Sequence, residues 1–151
     1  MTTDWMKPHL KYDSLDWDDV SEGDELPMVA RVVDTSLVVL GAVAASRDFY
    51  PVHHDRDVAV AAGAPDVFLN ILTTNGLMAS YITNWCGPDW DLSSISLRLL
   101  VPAFPGQKLT TTATVTRRYE QDGHRLLDLV FCAETDFGPH CKGTATIKRA
   151  A

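Results

Sequence analysis

Residues 67–85, Val-Phe-Leu-Asn-Ile-Leu-Thr-Thr-Asn-Gly-Leu-Met-Ala-Ser-Tyr-Ile-Thr-Asn-Trp, are the longest apolar stretch of the chain. Pro65 stands just before it, where a first helical turn tolerates proline, and Gly87-Pro88 just after it is a helix stop. Phe68, Leu69, Ile71, Leu72, Leu77, Met78, Tyr81 and Ile82 fall on every side of the helix this spacing predicts. A helix that is apolar all round is buried, either in protein or in lipid. Asn70, Thr73, Thr74, Asn75 and Asn84 make it too polar for a membrane span. The expectation is a long central helix that something else in the chain must wrap.

The second half supplies the wrapping. Ile95, Leu97, Leu99 and Val101 alternate with Ser94, Ser96, Arg98 and Leu100; Leu109, Thr111, Ala113 and Val115 alternate with four threonines. Leu127, Leu129, Phe131 and Ala133 follow the Asp122-Gly123 turn, and Cys141, Gly143, Ala145 and Ile147 follow Gly138-Pro139. Period two in four successive runs joined by turn signals predicts an antiparallel meander. Upstream, Met28–Leu40 is valine-rich and reads as a strand kinked at Asp34–Ser36. Ser46–Arg56 reads as a loop or short helical turns, and Asp57–Ala62 as a short helix stopped by Gly63. The predicted class is α+β, a single antiparallel five-stranded sheet wrapped around one long central helix. That is the element order of the hot-dog fold. The domain is expected over 27–151, after an acidic, aromatic lead-in arm at 1–26 that carries Trp5, Asp16, Trp17, Asp18 and Asp19.

With 151 residues, the chain is one domain's worth. Twenty acidic against 13 basic residues give a formal charge of −7, which argues against nucleic acid and against an anionic membrane surface as partners. A phosphate-bearing small ligand needs only a few local cations, for which Arg98, Lys108, Arg117 and Arg118 are candidates, although strand arginines are more commonly solvated. Residues 1–15 carry charges and no apolar core, so no secretory signal is expected, and the expected location is the cytoplasm. Cys86, Cys132 and Cys141 read as reduced thiols. No phosphate loop, nucleophile elbow or Cys-x-x-Cys is present, so those chemistries have no support.

The segment with chemical content is Asp48-Phe49-Tyr50-Pro51-Val52-His53-His54-Asp55. Pro51 fixes the local backbone and forces Tyr50 toward an extended shape. A carboxylate and an imidazole five residues apart beside an apolar helix can converge on one small ligand such as water. The same spacing also fits a capping Asp and a surface His. A metal at His53-His54-Asp55 is not expected, because adjacent histidines need further ligands and no second cluster follows.

This stretch resembles the signature of MaoC-like (R)-specific enoyl-CoA hydratases, Asp-x-Asn-Pro-hydrophobic-His-x5-Ala, at Asp48, Pro51, Val52, His53 and Ala59. It departs from that signature at Tyr50, where the family usually has Asn, and at Arg47, where it usually has Gly. Trp17-Asp18-Asp19-Val20, Gly23–Pro27, Pro102 and Pro105-Gly106 also resemble family segments, so the likeness spans nearly the whole chain. Ser46–Phe49, Val52–Asp57, Asn70–Thr73, Thr83–Trp85 and Gly87-Pro88 look most like the small hot-dog subunits that act on steroid side-chain enoyl-CoA thioesters. The resemblance implies hydration of a trans-2-enoyl-CoA to a 3-hydroxyacyl-CoA, with Asp48 and His53 clamping the water. It also implies no cofactor and no metal, and either a homodimer or a heteromer with a second MaoC-like chain. By the same resemblance the backbone N–H of Gly76 stabilises the thioester oxygen, with Thr73–Asn75 beginning the main helix. A mid-helix glycine is also explained by tight packing against a sheet. A hot-dog thioesterase and a non-catalytic acyl-CoA-binding subunit are the alternative functions.

Overall fold

The computed structural model of the chain describes residues 13–150. The elements in order are β1 (Val29–Val32), α1 (Thr35–Leu40), a π-helical turn (Gly41–Ser46), a 3-10 turn (Pro51–His53), α2 (Arg56–Ala61), α3 (Ile71–Cys86), β2 (Asp91–Leu99), β3 (Lys108–Gln121), β4 (His124–Thr135) and β5 (Gly138–Ala150). One antiparallel sheet in the order β1-β3-β4-β5-β2 packs against α3. The α+β class, the five strands and the single long helix are as predicted.

Three local expectations are corrected. The valine-rich run 28–40 is not one kinked strand. The Asp34 carboxylate accepts the Leu37 N–H at 2.7 Å and starts α1, so a cap overrides β-branched propensity. The four later strands are not one meander, because β2 pairs with β5 at the far edge and only β3-β4-β5 are sequential neighbours. The β2–β3 connection, with Pro102, Pro105 and Gly106, is too long for a tight hairpin. It crosses to the α3 start, where the Leu69 N–H bonds the Ala103 carbonyl at 3.0 Å. Finally, α3 is not buried on all sides. Thr74, Met78, Tyr81, Ile82 and Cys86 face the sheet, whereas Ile71 and Leu72 remain 49% and 52% exposed.

The strand alternation is where it was expected. Leu109, Ala113, Val115, Leu127, Leu129, Phe131, Ala133, Cys141, Ala145 and Ile147 point inward and are buried. The part of the lead-in that is described joins this domain. Trp17, Val20 and Leu26 are in the core, and the Leu26 N–H bonds the Ala113 carbonyl at 2.9 Å along β3. Arg118, one of the candidate phosphate cations, stacks over the Trp17 ring at 4.0 Å and donates to the Trp17 carbonyl, so the lead-in occupies it. Among the described residues, no helix is long and apolar enough to cross a membrane.

Gly143 sits where the backbone of β5 is closely covered by its neighbours. A methyl group there would collide with the Ser96 carbonyl oxygen and the Phe131 ring, both fixed by the β2-β5 and β4-β5 pairing. Gly143→Ala is therefore expected to destabilise the protein by about 2–3 kcal/mol or more, the scale of overpacking in a rigid core. Urea unfolding checks this, and an unchanged midpoint would contradict the packing described.

Candidate active site

Asp48 is placed by small residues upstream of it. In the π-helical turn, Gly41, Ala42, Ala44 and Ala45 keep the chain narrow, and Ser46 Oγ lies 2.7 Å from the Gly41 carbonyl and 3.0 Å from that of Ala42. Single π turns of this kind recur at functional sites. Arg47 then adopts a left-handed conformation, φ 55° and ψ 34°, which reverses the chain. A side chain is disfavoured there, which explains why a resembling signature would carry Gly at this position. The Asp48 N–H bonds the Ala42 carbonyl at 2.9 Å, and Asp48 Oδ1 accepts the Tyr50 N–H at 3.1 Å.

His53 comes from the next turn. Tyr50 is extended, φ −65° and ψ 120°, as a residue before proline should be, and Pro51 opens the 3-10 turn that ends at His53. The residue is 7% exposed. Its Nδ1 lies 2.8 Å from the Phe68 carbonyl oxygen, which can only accept, so Nδ1 carries the proton. In the neutral ring Nε2 is then left with a free lone pair, and it lies 3.6 Å from Asp48 Oδ2. The rings of Phe68, at 4.9 Å, and Tyr50, at 6.2 Å, stand edge-on to the imidazole. Of the two arrangements left open by the spacing, the structure has the convergent pair. Asp48 caps no helix and His53 is not on the surface.

Asn70 is the residue that the sequence did not bring to this site. It is 2% exposed, and its Oδ1 accepts the Thr73 N–H at 2.8 Å as the N-cap of α3. That contact fixes the orientation of the amide, so Nδ2 is the group 2.9 Å from both Asp48 Oδ2 and Ser46 Oγ. Hydrogen bonds from Asn70 first, and then from the Tyr50 N–H, hold the Asp48 carboxyl below the usual carboxylate range. Burial works the other way, and the neighbouring histidines add a smaller lowering. Asp48 is therefore ionised at neutral pH. An Asn three residues before Thr73 and an apolar run is a readable cap signal, but its bond to a carboxylate 22 residues away is a tertiary fact.

The start of α3 corrects the expectation for Gly76. The helix begins at Ile71, earlier than Thr73–Asn75, so Gly76 is in the second turn and its N–H belongs to the helix ladder. At the true start, Asn70 takes up the N–H groups of Thr73 and Thr74 through its side chain and carbonyl, which leaves those of Ile71 and Leu72 open, directly after the residue that bonds Asp48. Tight packing does not explain Gly76 either, since a methyl group there would meet nothing within 4 Å. It lines an apolar groove of about 840 Å3 with Leu37, Leu40, Ala44, Leu72 and Leu77, and Ser46 and Thr73 on its wall both bond Asn70, which holds Asp48. On the His53 side, Tyr50, Val52, Phe68, Pro102 and Phe104 line a second hollow of about 390 Å3. His54 is exposed and Asp55 caps α2, accepting from the Asp57 and Val58 N–H groups. Among the described residues, no three His, Cys, Asp or Glu side chains converge as metal ligands would.

No family model matches the chain. A curated protein of Mycobacterium tuberculosis, the 3-oxo-4,17-pregnadiene-20-carboxyl-CoA hydratase beta subunit, is 40% identical over 126 residues, covering 83% of this chain and 92% of that protein. The crystal structure of the ChsH1-ChsH2 complex from Mycobacterium tuberculosis contains a chain that superposes with a TM-score of 0.77 at 36% identity, over 85% of this chain and 98% of that one. The unliganded R-hydratase PhaJ1 from Pseudomonas aeruginosa shares the fold, with a TM-score of 0.80 at 17% identity over 91% of this chain and 86% of that one. Identity at this level over almost the full length of a hydratase subunit, together with the Asp48–His53 pair on a hot-dog framework, means that the chain belongs to the MaoC-like enoyl-CoA hydratase family.

Proposed function

We propose that this chain is the catalytic hot-dog subunit of a hydratase that adds water across a trans-2-enoyl-CoA thioester, and that its acyl group is of the steroid side-chain class. The observation that carries the proposal is the pairing of the Asp48 carboxylate with His53 Nε2 3.6 Å away, each side chain locked by a second bond, to Asn70 or to Phe68. A water seated against both atoms gives one hydrogen to each and directs its own lone pair at C3. As the O–C3 bond forms, one of the pair takes the water's proton and the C2=C3 electrons move toward the thioester oxygen. That proton then returns to C2 on the same face, and the catalytic groups are restored. General acid–base help of this kind contributes roughly 10²–10⁴-fold. The negative charge on the thioester oxygen needs fixed donors, each worth on the order of 3 kcal/mol. The open Ile71 and Leu72 N–H groups, at the positive end of α3, fill this role in place of Gly76. The reaction needs no metal and no cofactor beyond the coenzyme A of its substrate, and a cytoplasmic location suits such a substrate.

The acyl class is supported by the curated relative and by the groove beside the helix start, whose volume of about 840 Å3 suits a polycyclic tail. The same side of the chain supports a partner. Met28, Val29, Val32 and Leu40 on and near the edge strand β1 are 66%, 46%, 64% and 60% exposed, next to the uncovered face of α3. An apolar patch beside a free strand edge calls for a covering chain, and a second MaoC-like hot-dog chain, as in the ChsH1-ChsH2 complex, is the proposed one. Reconstitution tests this. The isolated chain is expected to hydrate a steroid side-chain enoyl-CoA weakly, and mixing it with a companion hot-dog chain should raise turnover. Full activity in a homodimer would remove the heteromer while leaving the hydratase standing.

A further inference from the structure

On the sheet side of the α3 start lies a set of polar groups that the hydration chemistry does not touch. His140 of β5 is 1% exposed and Thr74 of α3 is 0% exposed. His140 Nδ1 lies 2.7 Å from the Val101 carbonyl, and its Nε2 lies 2.8 Å from Thr74 Oγ1. The Thr74 N–H donates to the Asn70 carbonyl at 3.1 Å, and the single hydroxyl hydrogen of Thr74 has two acceptors in reach, that carbonyl, 3.0 Å from Oγ1, and His140 Nε2. Since the Val101 carbonyl can only accept, Nδ1 carries the proton. Burial disfavours the charged ring, so Nε2 accepts from the Thr74 hydroxyl. The Thr74 hydroxyl thus ties β5 and the turn after β2 to the first turn of α3, the Thr74 N–H bonds the Asn70 carbonyl there, and the Asn70 side chain holds Asp48.

Stability is a weak reason for the His140–Thr74 bond itself, because two buried partners replaced together by apolar groups of the same shape can cost little, with only the Val101 carbonyl left to be satisfied. A buried hydrogen-bonded joint instead admits one geometry, where an apolar contact admits several. The element it pins is the first turn of α3, which holds both halves of the proposed chemistry: the cap that orients Asp48 and the open Ile71 and Leu72 N–H groups. We propose that His140 and Thr74 are positioning residues for hydration, a joint between β5 and α3 that sets where Asn70 holds the Asp48 carboxylate and where the helix-start amides point. The inference rests on the hydratase function proposed above.

The test uses the full chain in its active assembly, with a steroid side-chain enoyl-CoA as the probe. Thr74→Val keeps the shape and removes the hydroxyl. It is expected to lower kcat by about 10- to 100-fold, the scale of a sub-ångström misplacement, with KM little changed. The acid limb of the pH–rate profile should move to higher pH as Asp48 loses part of the hold of Asn70. Thr74→Ser, which restores the hydroxyl, should restore both. The pair Thr74→Val with His140→Leu removes both ends of the joint and strands only the Val101 carbonyl, so it should be no less stable than His140→Leu alone while kcat stays low, a separation that a purely structural role would not produce. Wild-type kcat and an unmoved acid limb in Thr74→Val or in the double variant would overturn the proposal. Asp48→Asn, assayed alongside, tells the failures apart: if it is inactive while Thr74→Val is normal, only the joint fails; if it is fully active, the Asp48 assignment on which the joint rests fails; and if the wild type hydrates no enoyl-CoA, the hydratase function itself fails.

Discussion

Asp48→Asn is expected to abolish hydration in a chain that remains folded. The amide cannot take a proton from water, so the acid–base share of the rate, roughly 10²–10⁴-fold, should go with it. The structural loss is small and specific. Asp48 accepts the Tyr50 N–H on Oδ1 and Asn70 Nδ2 on Oδ2, and an amide has one oxygen, so one of these donors loses its acceptor. A half-buried bond of this kind is worth about 1 kcal/mol, which in a chain of this size lowers Tm by about 3 °C. The substitution should also change the response to acid. The lowered pKa of Asp48 means that its ionised form stabilises the fold at neutral pH. That contribution is lost as the pH falls through the usual carboxylate range toward the lowered value, and Asp48→Asn removes this dependence. Turnover near the wild-type value on the substrate would contradict the assignment.

The second large effect is expected at His53. His53→Ala removes the Nε2 lone pair and should lower kcat on the same scale, roughly 10²–10⁴-fold. Unlike Asp48→Asn it should also cost stability, about 1–3 kcal/mol, because it strips a buried ring from between Phe68 and Tyr50 and leaves the Phe68 carbonyl without its donor. His54→Ala is the control. That side chain is exposed, and its removal should change stability by no more than about 0.5 kcal/mol and turnover far less than His53→Ala. Steady-state assays and thermal melts of the three proteins check this together, and equal losses of turnover at the two histidines would contradict the separate role of His53.

The difference between what was legible in the sequence and what was not follows the range of the interactions. Period-two alternation placed the inward residues of β3, β4 and β5, because every second side chain of a strand with one face on a core must be apolar. It did not give the neighbour of β2, since alternation fixes a strand's face and not its partner. The run 28–40 misled because valines favour strands in general, while one Asp34 side chain bonding the Leu37 N–H suffices to start a helix. At the site, the short-range pair Asp48 and His53 could be paired by spacing and by family resemblance. Asn70, Thr74 and His140 could not be, because their bonds cross 22 and 66 residues of chain. The resemblance puts the thioester donor at Gly76, which needs a helix that begins at Thr73–Asn75, whereas α3 begins at Ile71. Reading Asn70 as the cap would have moved the open amides to Ile71 and Leu72.

The central claim is that Asp48 and His53 deliver water to the double bond rather than to the thioester carbonyl. It is tested most directly by turnover of a steroid side-chain enoyl-CoA in heavy-oxygen water, by the chain with its companion hot-dog subunit, followed by mass spectrometry of the product. The expected product is an intact coenzyme A thioester carrying one heavy oxygen as a hydroxyl on C3, formed by the wild type and not by Asp48→Asn. Release of free coenzyme A with the heavy oxygen in a carboxylate, or label at C3 formed equally well by Asp48→Asn, would contradict the account.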